Sequence, residues 1–183
     1  YTIETAPTSA KPLLEQARKA WGFIPTLHAT LAESPVTLEA YLTLFGLVAK
    51  SSFSAVEQQV VYLAVSVFHE CEYCTAGHTY LARSASMAED VLQALRGGAV
   101  IAEPRLQALR AFTERVLQKR GAAGDEAVDA FLAAGFTKAQ VFEVVTVIAT
   151  KTISNYVNHL AHTPKESFMA DPALAWAAPR GGA

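Results

Sequence analysis

The chain has 183 residues with 15 basic and 17 acidic side chains, a formal charge of −2, 51% hydrophobic and only 17% charged residues. That length suits one domain with a full core, and the absence of a basic run argues against a nucleic-acid partner. The longest apolar stretch, Val60–Phe68, falls far short of the roughly 20 residues needed to cross a bilayer, so no membrane partner is expected.

Helical periodicity begins early. A first helix is expected over Lys11–Trp21, opened by Ser9 and Pro12 and closed by Gly22. Pro25 opens a short segment to Glu33. Ser34-Pro35 starts a longer helix, Val36–Lys50, with Leu38, Tyr41, Leu42, Phe45 and Val48 on its apolar positions. Ser54 precedes Glu57 at capping-box spacing, and an apolar helix to Phe68 follows. A turn at His69–Glu70 leads to a helix over Cys71–Ser84, then to a short one over Met87–Arg96 stopped by the turn glycines Gly97 and Gly98. Pro104 occupies a first helical turn ahead of Arg105–Lys119. Asp125–Ala134 closes on Gly135, and Thr137 opens the last long helix, Lys138–His162, which Pro164 ends. The tail beyond, rich in Ala, Pro and Gly, is expected to be loose or draped on a partner.

No strand alternation persists, so the fold is expected to be all-α. A single domain, 1–183, divides into an N-terminal helical extension (1–34), a core (35–95), C-terminal helices (96–162) and a tail (163–183). The sparse charge leaves more apolar surface than one small globule hides, which points to a homo-oligomer. No charged-then-apolar leader opens the sequence, and a cytoplasmic location is expected. Neither a dinucleotide fingerprint nor a phosphate loop is present, and no cofactor is expected.

The chemistry concentrates in Cys71-Glu72-Tyr73-Cys74-Thr75-Ala76-Gly77-His78. These are the only cysteines, and a close pair in a reducing compartment reads as catalytic or metal-binding. On a helix, Cys71, Cys74 and His78 share one stripe about 60° wide. A thiolate is the nucleophile. His78 can take the thiol proton or, as a cation, steady the charge, and the second Cys can resolve the oxidised first one as a disulfide. Which sulfur attacks is contested: the helix dipole favours Cys71, the imidazole favours Cys74, and the neighbouring base weighs slightly more.

That segment, with the helix Ser54–Phe68 before it, resembles the carboxymuconolactone decarboxylase / alkylhydroperoxidase D-like family over Pro35–Leu95. Ile24-Pro25-Thr26-Leu27-His28 and Ser154-Asn155-Tyr156-Val157-Asn158-His159-Leu160-Ala161 are similar to its peroxidase-related members. The resemblance implies an alkylhydroperoxidase D-like helical bundle that assembles as dimers, trimers or hexamers. It implies reduction of hydrogen peroxide or an organic hydroperoxide, with a thiol or dithiol reductant, Cys74 peroxidatic, Cys71 resolving and His78 in a proton relay. The relay Glu of the family falls on Gln59, which cannot take a proton. Glu57 is the nearest carboxylate on that helix, and Glu70 or Glu72 could substitute. Tyr73 stands where the best-known members carry His.

Other readings compete. His159 and His162, at i,i+3, could complete a Cys₂His₂ zinc site, giving a non-catalytic zinc-binding or redox-sensing oligomer. His159 could instead line the pocket. A cofactor-free enzyme on a small organic acid is the third reading. His28 is read as structural, and His69 and Glu70 as capping residues. Tyr41, Phe45, Tyr62, Phe68 and Tyr80 are expected in the core or interface, some of them forming an apolar mouth.

Overall fold

The computed structural model describes residues 1–178, and those residues are helical with no strand among them. Nine α-helices follow in order: α1 Lys11–Trp21, α2 Thr26–Leu31, α3 Pro35–Val48, α4 Ala55–Phe68, α5 Glu72–Ser84, α6 Glu89–Gly97, α7 Pro104–Gln118, α8 Asp125–Ala133 and α9 Lys138–Ala161. No single helix among the described residues is long and apolar enough to cross a membrane.

Local chemistry explains most boundaries. Ser54 Oγ accepts the Glu57 N–H at 3.2 Å while the Glu57 carboxylate accepts the Ser54 N–H at 2.8 Å, a capping box that starts α4. Thr137 and Gln140 repeat the device at α9. Pro35 and Pro104 stand in first turns, where their missing N–H costs nothing.

One boundary differs from expectation at the site itself. Cys71 is the extended N-cap of α5 (φ −86°, ψ 98°), not its first helical residue. Glu70, at φ 54°, turns the chain sharply just before it. The helical stripe therefore places Cys74 and His78 only. Cys71 reaches Cys74 because an N-cap side chain points toward the third residue of its helix.

The core has two parts. Val60–Val65 of α4 are buried on every side of their helix and anchor the larger part with α6, α7, α8 and α9, including Leu92, Leu109, Phe131 and Val144. The smaller part gathers Leu14, Leu27, Leu31, Leu38 and Tyr41 from α1–α3 around Cys71, Tyr73, Cys74 and Met169. α4 packs against α5, α6, α7 and α9, and α3 lies along α9.

The tail is not loose as far as it is described. Residues 163–178 form a strap across α5 and α6. Arg96 donates to the Ala173, Leu174 and Ala175 carbonyls, and Trp176 Nε1 donates to the Arg96 carbonyl at 2.9 Å. Met169, on a short 3₁₀ turn, is buried beside Gly77, where a Cβ would lie 3.4 Å from its Cε.

Candidate active site

Both cysteines are reduced and buried, at 2% and 3% exposure. A single atom ties them together: Asn158 Nδ2, from α9, donates to Cys71 Sγ at 3.6 Å and to Cys74 Sγ at 3.2 Å. The Cys74 thiol also donates to Ser154 Oγ at 3.8 Å. Lys151, one turn earlier on α9 and 1% exposed, belongs to the same group.

The two thiols divide sharply. Burial opposes ionisation of Cys74, yet the Cys71 thiol, the Lys151 ammonium and the Ser154 hydroxyl together hold it well below the ordinary thiol range. The hydrogen bond that Cys71 makes to Cys74, with burial added, pushes Cys71 up. Of the two thiols, Cys74 is the one biased toward ionisation.

Access divides them the same way. A cavity of about 400 Å³ opens onto Cys74 but not Cys71. Its walls are apolar and aromatic: Trp21, Phe23, Leu27, Tyr41, Phe45, Tyr80, Phe168 and Met169, with Tyr73, His28, His78, Lys151 and Glu166 among them. Of the aromatic residues expected at the mouth, Tyr41, Phe45 and Tyr80 are on this wall. Tyr62 lies behind it, and Phe68 packs elsewhere, edge-on to His69.

Of the two states open to His78, proton acceptor or cation, the geometry favours the neutral one. Its Nδ1 pairs with Gln59 Oε1 at 2.9 Å, which makes Nδ1 the donor and leaves the lone pair on Nε2. The ring stacks on Tyr62 with centroids 4.4 Å apart. Burial, and next the charge of Lys151, press it well below the ordinary imidazole range. The imidazole is neutral, so it is not the cation that steadies the thiolate.

The carboxylates proposed for the relay do not reach it. Glu57 is held in its capping box and by Arg105 at 3.0 Å. Glu72 pairs with Lys165 at 2.6 Å on the surface, and Glu70 is exposed. The carboxylate that does reach the cavity is Glu166 of the strap, a residue that no motif or spacing singles out. Its Oε1 accepts from Tyr73 Oη at 2.9 Å, from Thr26 Oγ1 at 2.6 Å and from the Thr26 N–H. Tyr73 Oη in turn accepts the Leu27 N–H at 3.2 Å.

His159 is neither a pocket residue nor a ligand: it is exposed and its Nε2 bonds to the His69 carbonyl at 2.8 Å. His162 is the exposed C-cap of α9. The Cys₂His₂ set thus fails to assemble, and no group of three or more His, Cys, Asp or Glu able to hold a metal occurs among the described residues.

Residues 35–115, which span α3 to most of α7 and include both sulfurs, match the sequence profile of the carboxymuconolactone decarboxylase family. This segment resembles the carboxymuconolactone decarboxylase family. No curated protein matches the chain. Among solved structures, it is similar to an alkylhydroperoxidase AhpD core, an uncharacterized peroxidase-related protein from Ralstonia eutropha JMP134, with a TM-score of 0.82, 18% identity, and 96% of this chain and 95% of that one covered. A second uncharacterized peroxidase-related protein, from Silicibacter sp. TM1040, gives a TM-score of 0.77 at 16% identity over 92% and 91%. A variant of the debrominase Bmp8 in complex with 2,3,4-tribromopyrrole gives 0.71 at 15% over 87% of each chain. At these identities the likeness is one of fold, and the fold is all-α and alkylhydroperoxidase D-like. The family segment supplies α5 and Gln59, whereas Lys151, Ser154, Asn158 and Glu166 all lie outside it.

Proposed function

We propose that this chain is a dithiol oxidoreductase that reduces hydroperoxides, with Cys74 attacking and Cys71 resolving. One observation carries the reading: a single amide nitrogen bridges the two sulfurs, and Cys74 alone of the pair faces the cavity. Its lower pKa supports the same order.

The chemistry balances within the site and one external reductant. The Cys74 thiolate attacks the outer oxygen of the hydroperoxide, an S–O bond forms, the O–O bond breaks, and the alkoxide leaves with a proton as the alcohol. The Cys71 thiol then attacks the sulfenic sulfur. The S–S bond forms and the hydroxyl departs with the thiol proton as water. A dithiol reductant returns both thiols and is itself oxidised to a disulfide.

The test is a hydroperoxide titration of free thiols followed by intact mass. Loss of two hydrogens per chain, reversed by a dithiol, is expected. Cys74→Ser abolishes hydroperoxide consumption, and Cys71→Ser leaves a sulfenic acid that a cyclic diketone traps. Full turnover in both single variants with excess dithiol would reject the mechanism.

The aromatic walls favour a second reading. A thiolate can also take bromine from a halogenated aromatic ring: an S–Br bond forms, the ring carbon takes a proton, and Cys71 displaces bromide as the disulfide closes. The fold shared with a debrominase supports this chemistry. Bromide release from a brominated pyrrole, with no hydroperoxide consumption, would favour it over the first reading.

A further inference from the structure

Lys151 is the unexplained charge of this molecule. It sits on α9 at 1% exposure, and among the described residues no carboxylate lies within ion-pair distance of it. Glu166, the carboxylate on the same cavity wall, has its Oε1 taken by Thr26 and Tyr73. An ammonium taken out of water without a counter-charge is strongly unfavourable. The remaining groups around it are Cys71 at the N-cap of α5, Cys74 and His78 of α5, His69 before α5, Tyr62 of α4 at 5.9 Å from ring centroid to Nζ, and Tyr41 of α3 on the shared wall. With Glu166 beyond ion-pair distance, the group left beside Lys151 to supply negative charge near neutral pH is a sulfur, and Cys74 is the sulfur with the donors to hold it.

His78 is occupied otherwise. Its one N–H is spent on Gln59, so a neutral ring has no second proton to give. We propose that Lys151 is the counter-ion of the Cys74 thiolate and the acid that protonates the leaving oxygen, the tasks the motif alone assigns to His78. The proposal rests on the dithiol reading.

The protons balance. In the resting site the Cys74 proton resides on Lys151, giving a thiolate–ammonium pair. When the O–O bond breaks, the ammonium protonates the alkoxide and becomes a neutral amine. Disulfide closure then releases water with the Cys71 proton. Reduction by a dithiol returns two thiol protons, one of which passes from Cys74 to Lys151 and restores the pair.

The experiment follows the thiolate itself, by its ultraviolet absorbance and by alkylation rate against pH, in the full chain. Lys151→Met is expected to move the Cys74 midpoint up by about one unit or more. It should also slow alkylation at neutral pH, because the thiolate fraction falls faster than nucleophilicity rises. Lys151→Arg keeps the charge and restores most of the wild-type profile, which a purely space-filling role would not do. Should Lys151→Met fail to fold, Lys151→Gln, which keeps a donor without the charge, reads the same shift. A wild-type profile in the Met or Gln variant, or a profile that moves in His78→Phe and not in them, overturns the assignment. Because alkylation needs no hydroperoxide, this outcome is separate from the failure of the dithiol reading, which shows as no hydroperoxide consumption by the wild-type chain.

Discussion

His28 shows what burial does to a titratable side chain on this cavity wall. It is 5% exposed, edge-on to Tyr41 at 5.6 Å, and burial lowers it from 6.5 to about 4, against a smaller upward pull from Glu166. Above pH 6.5 both folded and unfolded chains hold it neutral, so its full contribution is present. As pH falls from 6.5 through about 4 the unfolded chain takes up the proton first, and stability drops by about 3 kcal/mol. Urea midpoints measured across that window should therefore fall, and His28→Phe should flatten the fall. An unchanged slope in the variant would remove His28 as the cause. Other residues of the site differed in how far the sequence revealed them. Cys74, His78 and Gln59 were legible because fixed offsets on neighbouring helices bring them together. Lys151, Ser154 and Asn158 were not, since a contact across about 80 positions leaves no local pattern. A signal did exist: Lys151, Ser154, Asn155 and Asn158 run at i, i+3, i+4, i+7 along one buried face of α9. A polar stripe of that spacing ordinarily faces water, and only the packing reveals that here it is buried, with Ser154 and Asn158 on the sulfurs.

At the scale of elements, helix boundaries came through well because caps are written in single residues: Ser54 with Glu57, Thr137 with Gln140, Pro35 and Pro104. The strap did not, because side chain–backbone bonds and a few buried side chains hold it, and neither has a period. Its latch is Glu166, on which Tyr73, from between the two cysteines, and Thr26, at the start of α2, both converge. The strap thus forms part of the cavity wall through Glu166, Phe168 and Met169. Glu166→Ala would leave the Tyr73 hydroxyl and the Thr26 N–H without this acceptor, a loss of about 1–3 kcal/mol for the partly buried pair. We predict earlier proteolytic cleavage within 163–178 and a higher KM, with the alkylation profile of Cys74 little changed. A strap as resistant as in the wild type would show that Arg96 and Trp176 hold it unaided.

Across the whole molecule, the larger core is closed by its own helices, but α9 is covered on only part of its circumference. Phe142, Val145, Tyr156 and Leu160 are 72%, 49%, 50% and 82% exposed. At about 100° per residue they fall within roughly 60° of arc, on one side of the helix. The neighbouring α3 adds Val36, which is 78% exposed. A continuous apolar face along a helix this long, beside a second helix, is the kind of surface that covers itself with another copy, where a stable interface takes about 800 Å² per partner. We predict that the chain self-associates through α9 and that Phe142→Asp with Leu160→Asp dissociates it, as read by sedimentation velocity. Both side chains point away from the cavity, so thiol reactivity should persist in the dissociated form. A wild-type chain that sediments as a monomer at micromolar concentration would remove the interface and leave the exposed stripe as a liability for aggregation, which the double substitution should then relieve.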